Sequence, residues 1–116
     1  MSTTSRRLDR PVASTATVDF DRAGRHLTVY VSGELDAASA PCIGTAVRSR
    51  IQPDDERVWM DLSTTTFCDS SGLMMFFTLH RLVEETGGRF IIYNPTPQVR
   101  RIIEICDQSN VLPIRS

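Results

Sequence analysis

Apolar and polar residues alternate in the first third of the chain, a pattern typical of strands that cover a core on one face. "TVDFD" and "RHLTVYVSGEL" share this period of two and are rich in β-branched and aromatic residues. The turn at Arg22 to Gly24 between them predicts an antiparallel hairpin. "RVWMDLS", with Trp59 in its middle, is continuously apolar, which is typical of a central strand. "RFIIYN" and "VLPIRS" predict two further strands.

Three other segments have apolar residues at helical spacing. The first lies in "DAASAPCIGTAVRSRIQP", where Asp36 or Ser39 can cap the helix. The second starts near Ser70 and ends at a double glycine, and the third, in "PTPQVRRIIEICDQSN", ends near Asn110. The resulting order, ββαβαβαβ, predicts a single α/β domain in which a mixed β-sheet has helices packed on it.

Length and charge limit the class of protein. With 116 residues, a net charge of -1 and 23% charged residues, the chain is one domain without a general attraction for nucleic acid or membrane. Three cysteines without metal-ligand spacing favour reduced thiols in a cytoplasmic protein, and we expect no metal and no cofactor. We expect residues 1–16 to be a flexible polar tail, not a secretory signal, and residues 17–116 to be the domain.

The segment "DLSTTTFCDSSGLMMF", residues 61–76, marks a strand-to-helix junction. We expect "STTTFCD" to be a loop at the carboxyl edge of the sheet, where α/β proteins usually place function. Asp69 or Ser70 can cap the next helix, and since one side chain suffices, a hydroxyl is left for solvent. Gly72 costs ~1 kcal/mol relative to Ala in a helix, so we expect something to approach its backbone closely. Simple capping is the purely structural alternative.

The segments "VSGELDAASAP" (31–41) and "DLSTTTFCDSSGL" (61–73) together resemble the STAS domain of bacterial anti-sigma factor antagonists. The resemblance covers nearly the whole chain after the tail and implies a STAS-like fold. In that family the first serine of the D-S-S-G segment accepts a phosphate, and its match here is Ser70. The family's functional aspartate after the second strand matches Asp36, and the acid before the phosphoserine matches Asp69.

The resemblance implies a switch in which this protein is a substrate and not an enzyme. The unphosphorylated form would bind an anti-sigma factor with serine kinase activity and so release the sigma factor. Phosphorylation at Ser70 would end binding, and a PP2C-type phosphatase would restore it. The alternative is a STAS scaffold or regulatory subunit of a stress-sensing or lipid-transport complex, without a phosphoswitch.

A hydrolase that used Ser70 as its nucleophile would need a base within hydrogen-bond reach. His80 is ten residues further along the same predicted helix, about 15 Å away at ~1.5 Å per residue. His26 follows the hairpin turn, at the opposite edge of the predicted sheet. We therefore expect no catalysis.

The expected partner surface combines the two acids with the start of the second helix. One serine hydroxyl should help to begin that helix, while Ser71 caps or packs. Other apolar residues suffice for a buried stripe, so Met74 or Met75 can be exposed as an adaptable contact; the alternative is a helix buried on a wide face. The expected partner-binding residues are Asp36, Asp69, Ser70, Ser71, Gly72, Met74 and Met75.

Overall fold

The computed structural model describes residues 10–13 and 15–116. In this part of the chain a single six-stranded sheet carries three helices, and the strands are ordered in space as in sequence. The first two pairs of neighbouring strands are antiparallel, and the other three pairs are parallel. The elements are β1 (Arg10–Ala13), β2 (Ala16–Ala23), β3 (His26–Leu35), α1 (Ser39–Arg48), β4 (Arg57–Cys68), α2 (Ser70–Glu85), β5 (Arg89–Tyr93), α3 (Pro97–Cys106) and β6 (Ile114–Arg115).

The predicted α/β architecture is confirmed, with one strand more than expected. The β2–β3 hairpin closes at the pair Ala23 and His26, and three strand–helix–strand units follow it. Strand β1 lies within the stretch that we expected to be a tail, and it pairs with β2 at the edge of the sheet. The interpretation as a tail is therefore wrong for residues 10–13, while residues 1–9 and 14 lie outside the described residues.

Strand β4 is longer than the sequence suggested. The stretch "STTTFC", expected to be a loop, continues the strand and pairs with the second half of β3. Two irregularities in the register let both strands run on, until Leu35 lies opposite Cys68. Threonine is β-branched and suits a pleated strand, so the stretch has the right composition despite its polarity. Only Asp69 separates the end of β4 from the start of α2.

The three helices cover one face of the sheet. Connections between parallel neighbouring strands are right-handed, so crossovers that all advance in one direction place their helices on the same side. Val58 and Met60 of β4 are fully buried in a core that residues of all three helices share. Their neighbour Trp59 points to the opposite face and is half-buried. No helix among the described residues is both long and apolar enough to cross a membrane.

Candidate functional site

Two strand–helix junctions lie side by side at the carboxyl edge of the sheet. Leu35 at the end of β3 pairs with Cys68 at the end of β4. The backbone N–H of Asp69 donates to the carbonyl oxygen of Leu35 at 3.1 Å, which ties the two junctions together. The structure therefore brings Asp36, which follows Leu35, next to the start of α2, as the sequence predicted.

The start of α1 uses both candidate caps. Oδ1 of Asp36 accepts hydrogen bonds from the backbone N–H groups of Ala38 (3.1 Å) and Ser39 (2.9 Å). In return, Oγ of Ser39 accepts from the N–H of Asp36 at 3.0 Å and donates to the carbonyl of Glu34 at 2.6 Å. Ser39 is fully buried. Its hydroxyl is thus committed to the fold.

These bonds also fix the charge of Asp36. The hydrogen bond from the backbone N–H of Ser39 has the largest influence on the pKa of the Asp36 carboxyl. Together with the hydrogen bond from Ala38 it outweighs the effect of burial, so the pKa is lowered below its usual value. Asp36 is half-buried, and a hydrogen bond with the side chain of Thr15 also favours its charged form. At neutral pH the junction therefore carries a permanent negative charge.

The start of α2 is capped by a carboxylate. Oδ1 of Asp69 accepts from the N–H groups of Ser71 (2.8 Å) and Gly72 (3.4 Å). The expectation that a serine hydroxyl helps to begin this helix is therefore wrong: of the two candidates, Asp69 and Ser70, the acid is the cap. Ser70 is the first residue of α2 and is exposed, while Ser71 is half-buried. The hydroxyl of Ser70 is not needed for the cap.

Gly72 is buried, and its close contacts are internal. An added Cβ would lie 2.6 Å from Sγ of Cys68 and 3.0 Å from Cβ of Leu35. The expected close approach is thus made by the ends of β3 and β4. This burial corrects the expectation that Gly72 itself contacts a partner. The pKa of the Cys68 thiol is raised to about 12, mainly because the thiol is buried. No reactive thiolate therefore forms there.

The two methionines of α2 point in different directions. Met74 is 64% exposed, whereas Met75 is 8% exposed and packs against Gly44 of α1. This corrects the expectation that Met75 belongs to the partner surface. Between the helices lies a cleft of about 450 Å³. Its lining comprises Ala40, Pro41, Gly44, Thr45, Arg48, Ser71, Met74, Met75, Thr78 and Leu79.

Asp36, Asp69, Ser70 and Met74 form what we call the junction surface. Sequence reasoning missed one large apolar neighbour, Phe67, which ends up 47% exposed close to the carboxyl end of β4. The available signal was a large aromatic residue directly after three threonines, in an otherwise polar stretch. The part of the cleft that α1 contributes was also missed, because it depends on how the two helices pack.

The chain matches the family model of the STAS domain over residues 17–116. An anti-sigma F factor antagonist from Paenibacillus polymyxa is 28% identical over 89 residues, which are 76% of this chain and 76% of that protein. The match therefore includes most of both proteins.

Solved structures share the fold. An anti-sigma factor antagonist from Mycobacterium paratuberculosis superposes with a TM-score of 0.77 at 24% identity, covering 93% of this chain and 90% of the other. The Bacillus cell fate determinant SpoIIAA in its phosphorylated form gives a TM-score of 0.66 at 22% identity, covering 85% and 91%. With the family model spanning both junctions and the whole sheet from β2 onward, the chain belongs to the STAS domain family.

Proposed function

We propose that the protein is a cytoplasmic anti-sigma factor antagonist whose unphosphorylated form binds an anti-sigma factor through the junction surface. Phosphorylation of Ser70 ends that binding. The observation that carries the proposal is the exposed position of Ser70 at the first residue of α2, where Asp69 already supplies the cap. The Ser70 hydroxyl can therefore be modified without removing a hydrogen bond that begins the helix. SpoIIAA, a structural relative, exists in a phosphorylated form.

The charges around Ser70 explain why a phosphate would block docking. A phosphoserine carries about -1.5 to -2 charges at neutral pH. The N–H groups of Ser71 and Gly72, which could otherwise bind an anion, already serve the carboxylate of Asp69. The phosphate would thus add to the negative charge of Asp69 and Asp36 without compensation from these groups, and a docking partner would have to desolvate it.

The expected magnitude follows from this cost. A loss of about 3 to 4 kcal/mol in binding free energy corresponds to an affinity a few hundredfold weaker. No change of fold is required, because the modified oxygen lies on the surface. The exposed Met74, one turn after Ser70, offers the unphosphorylated form an adaptable apolar contact.

The partner that suits this chemistry is an anti-sigma factor with serine kinase activity, which would bind and phosphorylate the same residue. A PP2C-type phosphatase would remove the phosphate and return the protein to its binding form. In this scheme the protein is a substrate and a binding module, and it needs no cofactor.

The proposal is tested by capture of the anti-sigma factor from the native cell on immobilised variants. Ser70→Ala should retain the partner and Ser70→Asp should lose it, while both keep a circular-dichroism melt close to wild type. Ser109→Asp, a change at another exposed serine, is the matched control and should bind like wild type. Equal capture by Ser70→Asp and Ser70→Ala would contradict the proposal.

Intact mass of the protein from native cells separates the switch from a STAS scaffold. The switch predicts a species heavier by one phosphate, about 80 Da, that maps to Ser70. A scaffold or regulatory subunit without a phosphoswitch would show the unmodified mass under all growth conditions.

A further inference from the structure

The cleft between α1 and α2, which we name the interhelix cleft, combines an apolar floor with an open rim. Ala40, Gly44 and Leu79 line it and are buried, whereas Pro41 and Met74 line it and are exposed. Its volume of about 450 Å³ has room for about 15 water molecules at ~30 Å³ each. Replacing this water by an apolar surface is favourable, because apolar groups of both sides leave water.

The cleft is continuous with the junction surface. Met74 belongs to both, and Ser71, which follows Ser70 directly, lines the cleft. Helices α1 and α2 leave the carboxyl ends of two neighbouring parallel strands, so both run from the junctions toward the other edge of the sheet. A partner segment that lies along the cleft therefore has Ser70 beside it where the cleft begins.

Arg48 carries the single charge among the residues that line the cleft. It lies in the last turn of α1 and is exposed. Its side chain has no hydrogen bond or ion pair within the part of the chain that the structure describes. Because a guanidinium pairs with a carboxylate through its planar donors, the far end of the cleft can bind one acidic group.

The acids around Arg48 leave it available to a partner. Three of them have other partners: Asp54 with Arg25 (3.8 Å), Asp55 with Arg22 (2.6 Å) and Glu84 with His80 (3.6 Å). Glu85 lines a smaller depression next to the cleft together with Arg81, which has the opposite charge. The acids of the junctions are distant, since Arg48 lies nine residues after Ser39, about 14 Å at ~1.5 Å per residue. This exceeds the Debye length of ~8 Å at physiological salt.

We infer that the interhelix cleft binds an amphipathic helix of the anti-sigma factor, whose apolar face fills the cleft and whose acidic residue pairs with Arg48. The inference rests on the proposed function, because it names the element that this partner presents beside the junction surface. From Ala40 to Arg48 the cleft follows α1 for about 12 Å at ~1.5 Å per residue, close to two helical turns of ~5.4 Å. An apolar groove of this length suits a helix with apolar residues one turn apart.

The shape of the cleft disfavours a second copy of the chain as its occupant. Two copies placed cleft to cleft would bring two concave surfaces together and leave both unfilled, whereas a helix is convex. The position of the cleft also explains how one modified residue could release a partner held over two turns. A phosphate on Ser70 would lie beside the docked helix and would have to lose its water there.

The test uses the anti-sigma factor itself, captured on Ser70→Ala, identified by mass spectrometry and then purified. Its affinity for unphosphorylated variants is measured by isothermal titration calorimetry without ATP, so that no phosphate is transferred. Thr78→Trp places a large ring at the cleft, and Arg48→Glu reverses its charge. We expect each change to weaken binding at least tenfold.

Matched controls make the same kinds of change outside the cleft. Gln108→Trp introduces a tryptophan at an exposed position, and Arg101→Glu reverses the charge of an exposed arginine of α3. Both should bind as wild type does, and circular dichroism confirms that all four variants are folded. Wild-type affinity of either Thr78→Trp or Arg48→Glu overturns the inference.

A charge swap tests the pairing with Arg48. Hydrogen exchange of the anti-sigma factor locates the segment that the complex protects, and its acidic residue is changed to lysine. This change should restore binding to Arg48→Glu at least fivefold. No restoration by any acidic residue of the protected segment would overturn the assigned pairing.

The same titrations separate this inference from the proposed function. If Ser70→Asp binds weakly while both cleft variants bind as wild type does, only the inference is overturned. If the cleft variants bind weakly while Ser70→Asp and Ser70→Ala bind equally, the cleft is supported as a docking site and the phosphoswitch is contradicted. If Ser70→Ala retains no anti-sigma factor, both are contradicted.

Light scattering of the protein alone tests the other occupant. We expect wild type and Thr78→Trp to have the same molar mass. A wild-type dimer that Thr78→Trp dissociates would show that a second copy fills the cleft, and the assignment to the anti-sigma factor would be overturned.

Discussion

The two strand–helix junctions have similar sequences and opposite uses of serine. At the start of α1, an acid and the serine three residues later bind each other's backbone, and the Ser39 hydroxyl is fully buried. At the start of α2, the acid caps the helix alone, and the adjacent Ser70 is exposed. The difference lies in which side chain completes the cap, because one acceptor suffices for the first free N–H groups of a helix.

The comparison shows how a fold can present a hydroxyl. A serine that completes a cap is part of the structure, and a phosphate there would break the hydrogen bonds of the junction. A serine beside a capping aspartate keeps its position on the helix without contributing to the cap. At the junction of α2, Asp69 caps the helix, and Ser70 is the separate residue that we propose is phosphorylated.

The contact between the junctions gives the largest expected effect. Gly72→Val should lower the free energy of unfolding by about 3 kcal/mol, the upper range for overpacking, because its side chain would overlap Cys68 and Leu35. Urea denaturation measures the change. Gly44→Ala is the control: an added Cβ there meets Cγ of the flexible Met75 at 3.2 Å, so stability should stay within about 1 kcal/mol. If Gly72→Val also stayed within about 1 kcal/mol of wild type, the two junctions would not be tightly packed together.

The two serines should respond differently to the same substitution. Ser39→Ala leaves the N–H of Asp36 without its side-chain acceptor and removes the shorter of two side-chain hydrogen bonds to the carbonyl of Glu34, so it should cost about 2 kcal/mol. Ser70→Ala should change stability by less than about 0.5 kcal/mol. Thermal or urea unfolding of both variants compares them directly. A large loss in Ser70→Ala would show that its hydroxyl is structural.

Much of this arrangement follows from the sequence, and the remainder depends on packing. The order of elements, the helix start near Ser70 and the closeness of Asp36 come from periodicity, capping chemistry and strand direction. Strand β1 was missed because it is four residues long and contains a proline, and the end of β4 because its threonines are polar. The burial of Gly72 and Met75 cannot be predicted without knowing which residues pack against them.

The capping role of Asp69 gives a smaller effect. Asp69→Ala should destabilise the protein by about 1 kcal/mol, since two N–H groups lose their acceptor. Asp69→Asn keeps an acceptor oxygen and should recover most of the loss. If Ala and Asn variants unfold at the same denaturant concentration, the carboxylate does not act as the cap.

The smallest effect concerns pH at the other junction. Because the pKa of Asp36 is lowered in the folded state, its charged form stabilises the fold above the unfolded-state pKa of about 3.9. This contribution is lost as the pH falls through the lower folded-state value. The stability difference between wild type and Asp36→Asn, measured by urea unfolding, should be constant from pH 7 to 5 and shrink below about pH 4. A difference that does not vary with pH would contradict this role.

The most direct test of the central claim is the affinity of the anti-sigma factor for the protein with phosphoserine installed at position 70, compared with the unmodified protein. We predict binding weakened a few hundredfold, with an unchanged unfolding midpoint measured on the same samples. Unchanged affinity, or a weaker complex accompanied by a destabilised fold, would contradict the account.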